Sequence, residues 1–189
     1  MPPKIKITRE EIIDAAIDMT RREGIDALNA RGLASALGVS TQPIFSSFSS
    51  MIELRREVII GANAIFEEFT EKVRNVGKYP PYKAMGIAYI GFAKEERELF
   101  KLLFMRSRSG ESTESVTDRS HSAAVETIMA QNGYTRELAE LFQLEMWSFV
   151  HGIAVMIATD FLTLDEELIS DMLTDIFQGL KSRIKEKCK

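Results

Sequence analysis

The sequence predicts an all-α fold of about nine helices in two parts. Three observations carry this. Apolar residues recur at three- and four-residue intervals along most of the chain, residues suited to helix caps stand at the expected starts, and no stretch alternates long enough to read as a strand. The pattern places a three-helix domain at residues 1–50 and a larger helical domain at 51–189, the second long enough to bury a core of its own.

The first helix is expected over about Arg9–Glu23. Thr8 is its N-cap and Glu11 completes a Thr-x-x-Glu capping box, in which each side chain satisfies a backbone N–H that the helix leaves open. Ile12, Ala16 and Met19 form one apolar stripe, widened by Ile13 and Ile17. Gly24 supplies a left-handed stop. Asn29 caps a second helix, Ala30–Leu37, whose Leu33, Ala34 and Leu37 face inward. Gly38, Val39 and Ser40 make a tight turn, and Ser40 caps a third helix, Thr41–Ser47. Pro43 falls in its first turn, where a missing N–H costs nothing; Ile44 and Phe48 anchor it to the core. Ser50 and Glu53 form a second capping box that opens a long helix from Met51 to about Asn75, roughly 37 Å at 1.5 Å per residue.

Gly77, Lys78, Tyr79, Pro80 and Pro81 interrupt the helical pattern, as a hinge or simply a loop. Two further helices are expected at Tyr82–Lys94 and Arg97–Arg106, followed by a polar connection, Ser107–Ser115. Val116–Gln131, closed by Asn132 and Gly133, then Thr135–Asp160, capped by Thr135, and Asp165–Lys185 complete the series.

Composition excludes several function classes. The chain has 189 residues and a formal charge of −4. No apolar run nears the roughly 18 residues of a membrane span, and the N-terminus lacks the apolar segment of a signal peptide. The one cysteine, Cys188, allows no intrachain disulfide, so a cytoplasmic protein without a membrane partner is expected. Neither His121 nor His151 has an acid or cysteine at metal-ligand spacing, and no nucleophile motif surrounds a serine. No metal, cofactor or enzymatic activity is therefore expected.

Two short helices joined by a Gly-containing turn, residues 30–47, are the sequence form of a helix-turn-helix. In that motif the second helix enters the DNA major groove, so double-stranded DNA is the expected partner. Thr41 and Gln42 are the expected base readers, with Ser46 next. Gln can bond adenine through N6 and N7, and the Pro43 ring can meet a thymine methyl; the alternative is that Gln42 is merely solvated. Phe45 is expected either in the core or against the sugar-phosphate backbone. Residues 1–54 hold six Lys/Arg against seven Asp/Glu, so this domain is not basic overall. Its first nine residues nevertheless carry Lys4, Lys6 and Arg9 and no acid, which suits an N-terminal arm on DNA; Arg31 adds another cation.

Residues 8–54 resemble the tetracycline-repressor (TetR) family of bacterial transcription regulators. The resemblance runs through the first helix, Gly24, Leu33 and Ala34, Gly38 to Ser40, Ile44, Phe45, Phe48 and Leu54. Tyr89 to Ala93, Glu98 to Phe104, and Trp147 to Gly152 resemble recurrent patterns of one branch of the family. The third helix commonly ends Tyr-x-His-Phe in that family, and the fourth opens with Lys; here Phe45, Ser47 and Met51 stand at those positions. Three customary phosphate contacts are thus weakened or missing. The resemblance implies a dimer through the last two helices, whose apolar faces include Phe149 and Ile153 on one and Met172, Ile176 and Phe177 on the other; burial within one subunit explains part of each face. It also implies a small-molecule effector among Phe66, Tyr89, Phe92, Phe104, Met105, Trp147 and His151, residues that otherwise read as ordinary core. The function implied is a ligand-responsive repressor binding a pseudo-palindromic operator. A helical interaction module without specific DNA binding is the alternative.

Overall fold

The computed structural model describes the backbone of residues 7–106 and 116–187, with side chains described for 7–106 and 121–184. Among these residues the structure is helical throughout. It comprises α1 (Arg9–Glu23), a single 3₁₀ turn (Ile25–Ala27), α2 (Ala30–Ala36), α3 (Gln42–Ser47), α4 (Met51–Asn75), α5 (Pro81–Glu95), α6 (Arg97–Phe104), α7 (Val116–Asn132), α8 (Arg136–Ala158) and α9 (Glu166–Lys187).

Several helix ends follow the sequence pattern. Thr8 and Glu11 form the reciprocal capping box. Asn29 Oδ1 accepts the Gly32 N–H at 2.9 Å, and Thr135 Oγ1 accepts from Leu138. Three ends differ from expectation. Ser40 does not cap α3; the N-cap is Thr41, which makes no side-chain capping bond. Glu53 and Ser50 form only half a box: Ser50 Oγ accepts the Glu53 N–H at 3.3 Å, while the Glu53 carboxylate reaches back to Ser49, taking its N–H and its hydroxyl at 2.7 Å each. Gly24 is not left-handed helical. Its φ of 83° and ψ of 161° lie in a region essentially confined to glycine, because any Cβ there meets its own backbone.

Two compact units emerge. The first reaches beyond residue 50: it joins α1–α3, α4 through Phe66, and α6. Its core holds Ile12, Ala16, Leu28, Leu33, Ile44, Leu54, Val58, Leu99 and Phe100, each at most 1% exposed. The Arg21 guanidinium bonds Glu96 at 2.8 Å on the α1–α6 side of this unit. Gly61 lets α4 approach α1 so closely that a Cβ on it would stand 2.4 Å from Ile17 Cδ1.

The second unit takes α4 from Glu67 onward together with α5, α7, α8 and α9. Val125, Ile128, Ala139, Phe142, Met146 and Ile184 form a buried cluster, with Tyr82, Ile176 and Phe177 packed against it. Helix α8 corrects one sequence expectation, since it is long and apolar enough by composition to cross a membrane. Its place in this unit explains that composition: Phe142, Met146, Val150, Ile153, Ala154 and Ile157 are buried, and α5, α7 and α9 all pack on it. A helix packed by three neighbours needs a wider apolar face than one that buries a single stripe.

Candidate nucleic-acid interface

The α2–turn–α3 segment is held by inward anchors and a satisfied turn. Leu33, Ala34, Ile44 and Phe48 are buried. Gly38 adopts φ 67°, and the Val39 N–H closes on Ala34 O at 3.0 Å. With Ile44 and Phe48 fixed inward, helical periodicity turns Gln42, Phe45 and Ser46 outward onto one face, and all three are exposed. Thr41, Pro43 and Ser47 are half-buried at its margins.

Two of these residues differ from a simple polar reader. Phe45 is 52% exposed, which removes the core reading of that ring. The Ser46 hydroxyl donates to Gln42 O at 2.9 Å, so its oxygen lone pairs rather than its proton face outward.

The cations are distributed unevenly. Lys4 and Lys6 lie outside the described residues. Arg31 is exposed on α2 and makes no ion pair among the described residues. Arg9 is engaged internally, its Nη2 lying 2.8 Å from Glu57 Oε1 and 3.6 Å from Glu53 Oε1. Its guanidinium carbon also stands 4.6 Å from the centre of the Phe48 ring. The first two residues of α4 are apolar: Met51 is half-buried and Ile52 is 65% exposed. Arg55 turns inward, donating to Leu28 O at 3.2 Å.

The expected effector-lining residues fall into separate groups. Phe66 and Phe104 belong to the first unit, where their rings meet edge to face at 5.1 Å. Met105, at the C-cap of α6, is 40% exposed. In the second unit, Tyr89 Oη and His151 Nδ1 are 2.9 Å apart, and the His151 ring stacks on Trp147 at 4.8 Å and 11°. Burial pushes the His151 pKa down and the Tyr89 phenol up, so both favour their neutral forms. Phe92 is fully buried and packs edge-on against Phe69.

None of those seven residues lines a groove of about 420 Å³ in the second unit, floored by Phe69, Val73, Ile87, Ile90 and Ile169. Its rim holds Glu166, whose Oε1 accepts from Lys78 Nζ at 2.7 Å and from Tyr79 Oη at 2.8 Å. Those bonds hold the Glu166 carboxyl below the usual range. Sequence reasoning missed this groove because its walls come from α4, the loop between α4 and α5, α5 and α9, with no local motif among them.

The expected interface residues divide as well. Ile153 is buried, and Ile176 and Phe177 pack on the chain's own core, with Phe177 5.2 Å from Phe142. Phe149 and Met172 are half-buried. The large apolar residues left exposed on these helices are instead Leu141 and Leu144 on α8 and Leu168 on α9. A Cβ at Gly152 or Gly179 would meet nothing within 4 Å, so both helices also present small, open positions.

Comparison with known proteins agrees at both ends of the chain. Residues 12–58 match the family described as bacterial regulatory proteins, tetR family, and residues 82–177 match the tetracyclin repressor-like C-terminal domain. An uncharacterized HTH-type transcriptional regulator of Bacillus subtilis (strain 168), YobS, is 22% identical over 174 residues, covering 91% of this chain and 90% of its own. Another, Rv0681 of Mycobacterium tuberculosis (strain ATCC 25618 / H37Rv), is 25% identical over 185 residues, covering 94% of this chain and 84% of its own. Among solved structures, the multidrug binding protein EbrR complexed with imidazole aligns with a TM-score of 0.62 at 18% identity, over 89% of this chain and 88% of that one. A tetR-family member from Streptomyces coelicolor A3, SCO1917, aligns at the same TM-score and 17% identity, over 89% and 96%.

Proposed function

The chain belongs to the tetR family of bacterial regulatory proteins, and from that premise we propose that it is a homodimeric, effector-responsive repressor whose α3 reads a pseudo-palindromic operator. The observation that supports this reading best is the outward face of Gln42, Phe45 and Ser46 on a helix otherwise anchored by Ile44 and Phe48. Gln42 is the base reader, able to take adenine N6 and N7 together. Phe45, exposed and apolar, suits a thymine methyl or a deoxyribose. Phosphate grip comes from Arg31 and the Lys4/Lys6 arm, since Met51 and Phe45 cannot supply it.

Dimerisation would use the exposed rows of α8 and α9, Leu141, Leu144 and Leu168 with the open positions at Gly152 and Gly179. A second subunit then brings a second α3 to a half-site about 34–36 Å away. The effector would bind the second unit, at the Tyr89–His151–Trp147 cluster or the groove beneath Lys78 and Tyr79. EbrR, a multidrug binding protein solved in complex with imidazole, offers a parallel for a small-molecule effector. Helix α4 supplies residues to both units and so can carry a shift at the effector site to the reading head. A coupling of ~1–3 kcal/mol changes operator affinity about 5- to 150-fold.

Selection of duplexes from a random pool tests the reading. The expected product is an inverted repeat, and Gln42→Ala should lose ~1–3 kcal/mol at one base pair per half-site. Loss shared equally by all sequences would make Gln42 a backbone contact. Failure to enrich any sequence would favour an interaction module instead, a reading the exposed Ile52 and Phe45 would then support.

A further inference from the structure

We infer that Arg9 is a positioning residue for operator reading, one that clasps the joint between α3 and α4 instead of touching DNA. This rests on the DNA-binding reading above. One guanidinium spans three elements. It belongs to the first residue of α1, it covers the ring of Phe48 at the C-cap of α3, and it bonds Glu57 on the second turn of α4 at 2.8 Å. Glu53 completes the clasp: one carboxylate oxygen lies 3.6 Å from Arg9, and the other takes both the N–H and the hydroxyl of Ser49 at 2.7 Å.

Helix α3 needs such an external hold. Six residues are fewer than two turns, too short to be stable or directionally fixed alone. Its N-cap makes no side-chain bond, and Ile44 is its one buried residue. The angle at which Gln42 is presented is therefore set at the other end, by Phe48 and Ser49, the two residues that Arg9 and Glu53 grip. An Arg suits this place better than a Lys, because its planar fork stacks on the ring and reaches a carboxylate at once.

The same geometry argues against a phosphate contact. To reach DNA, Arg9 would have to leave Glu57 and Glu53, exposing two carboxylates on the opening turns of α4. Those acids would then repel the backbone that the arginine had moved to meet.

Glu57→Gln separates the two roles by sign. It preserves shape and removes one negative charge from the reading unit. If Arg9 were a DNA contact restrained by Glu57, the change would free it and tighten binding. If Arg9 is a clasp, the change should weaken binding to a duplex selected by the unmodified protein, about two- to fivefold. Arg9→Gln should weaken it about three- to tenfold, with Arg9→Lys between, and the double variant should be no worse than Arg9→Gln alone. The salt slope of Arg9→Gln should match that of the unmodified protein, whereas losing a phosphate contact lowers it by about 0.9. Circular dichroism identifies any variant that fails to fold, and the Glu57→Gln arm decides even if Arg9→Gln does. Binding by Glu57→Gln at or above the unmodified level, or a reduced slope for Arg9→Gln, overturns the clasp alone. If the unmodified protein selects no duplex, the DNA-binding reading falls and this role with it.

Discussion

Gly61→Ala offers a test of how α4 is seated on α1, because two opposing effects of known size meet at one carbon. In the middle of α4, glycine costs the helix about 1 kcal/mol relative to alanine. Alanine should therefore stabilise, were there room for it. There is not: the new Cβ would stand 2.4 Å from Ile17 Cδ1 and 3.4 Å from its Cγ1. Ile17 is itself buried, so its terminal methyl cannot simply swing into water. Overpacking of this kind costs ~1–3 kcal/mol. The net effect in the unmodified protein is a loss between about zero and 2 kcal/mol. Ile17→Val removes the clashing methyl, at its own cost of ~0.5–1.5 kcal/mol. In that background Gly61→Ala should change sign and stabilise by about 1 kcal/mol. Urea denaturation of the four proteins gives the coupling, expected at ~1–3 kcal/mol. Additivity within about 0.5 kcal/mol would refute the close approach of the two helices. Operator affinity in the same four variants should follow stability loosely and the α1–α4 spacing closely, with Gly61→Ala alone the weakest binder.

Other predictions follow from single contacts. Gly24→Ala should cost ~1–3 kcal/mol, more than Gly38→Ala, because φ 83° with ψ 161° is essentially confined to glycine and a Cβ at Gly24 would stand 3.0 Å from Glu98 Oε2, whereas one at Gly38 meets nothing within 4 Å; equal melting temperatures would contradict this. Leu144→Glu with Leu168→Glu should give folded monomers by light scattering, while Phe177→Asp should unfold the second unit, since its ring packs within the chain; a dimeric double variant would place the interface elsewhere. Because burial depresses the His151 pKa, the unfolded chain binds the proton more readily, so its contribution to stability is present above pH ~6.5 and is lost as pH falls below that. His151→Phe should flatten the melting temperature across pH 5–7; an unchanged profile would assign the dependence to another group.

The local elements of this protein are written in short stretches of sequence. The Thr8–Glu11 box, the Asn29 and Thr135 caps and the outward turn of Gln42 all depend on residues within four positions of one another, so spacing alone identifies them. Even there, reading stopped at the choice between neighbours. Glu53 had equally short routes to Ser50 and Ser49, and only the path of the chain between α3 and α4 decided for Ser49. Long-range partners were beyond sequence. Arg9 reads as one more cation of a basic arm until folding sets it against Glu57, 48 positions away. Phe177 and Ile176 read as a surplus apolar face until Tyr82 and Phe142 arrive to cover them, leaving Leu144 and Leu168 as the open row. Periodicity reports that a face is apolar but not what covers it. Which apolar residues stay exposed, and which charges are already neutralised, is settled only when segments remote in sequence compete for the same surface.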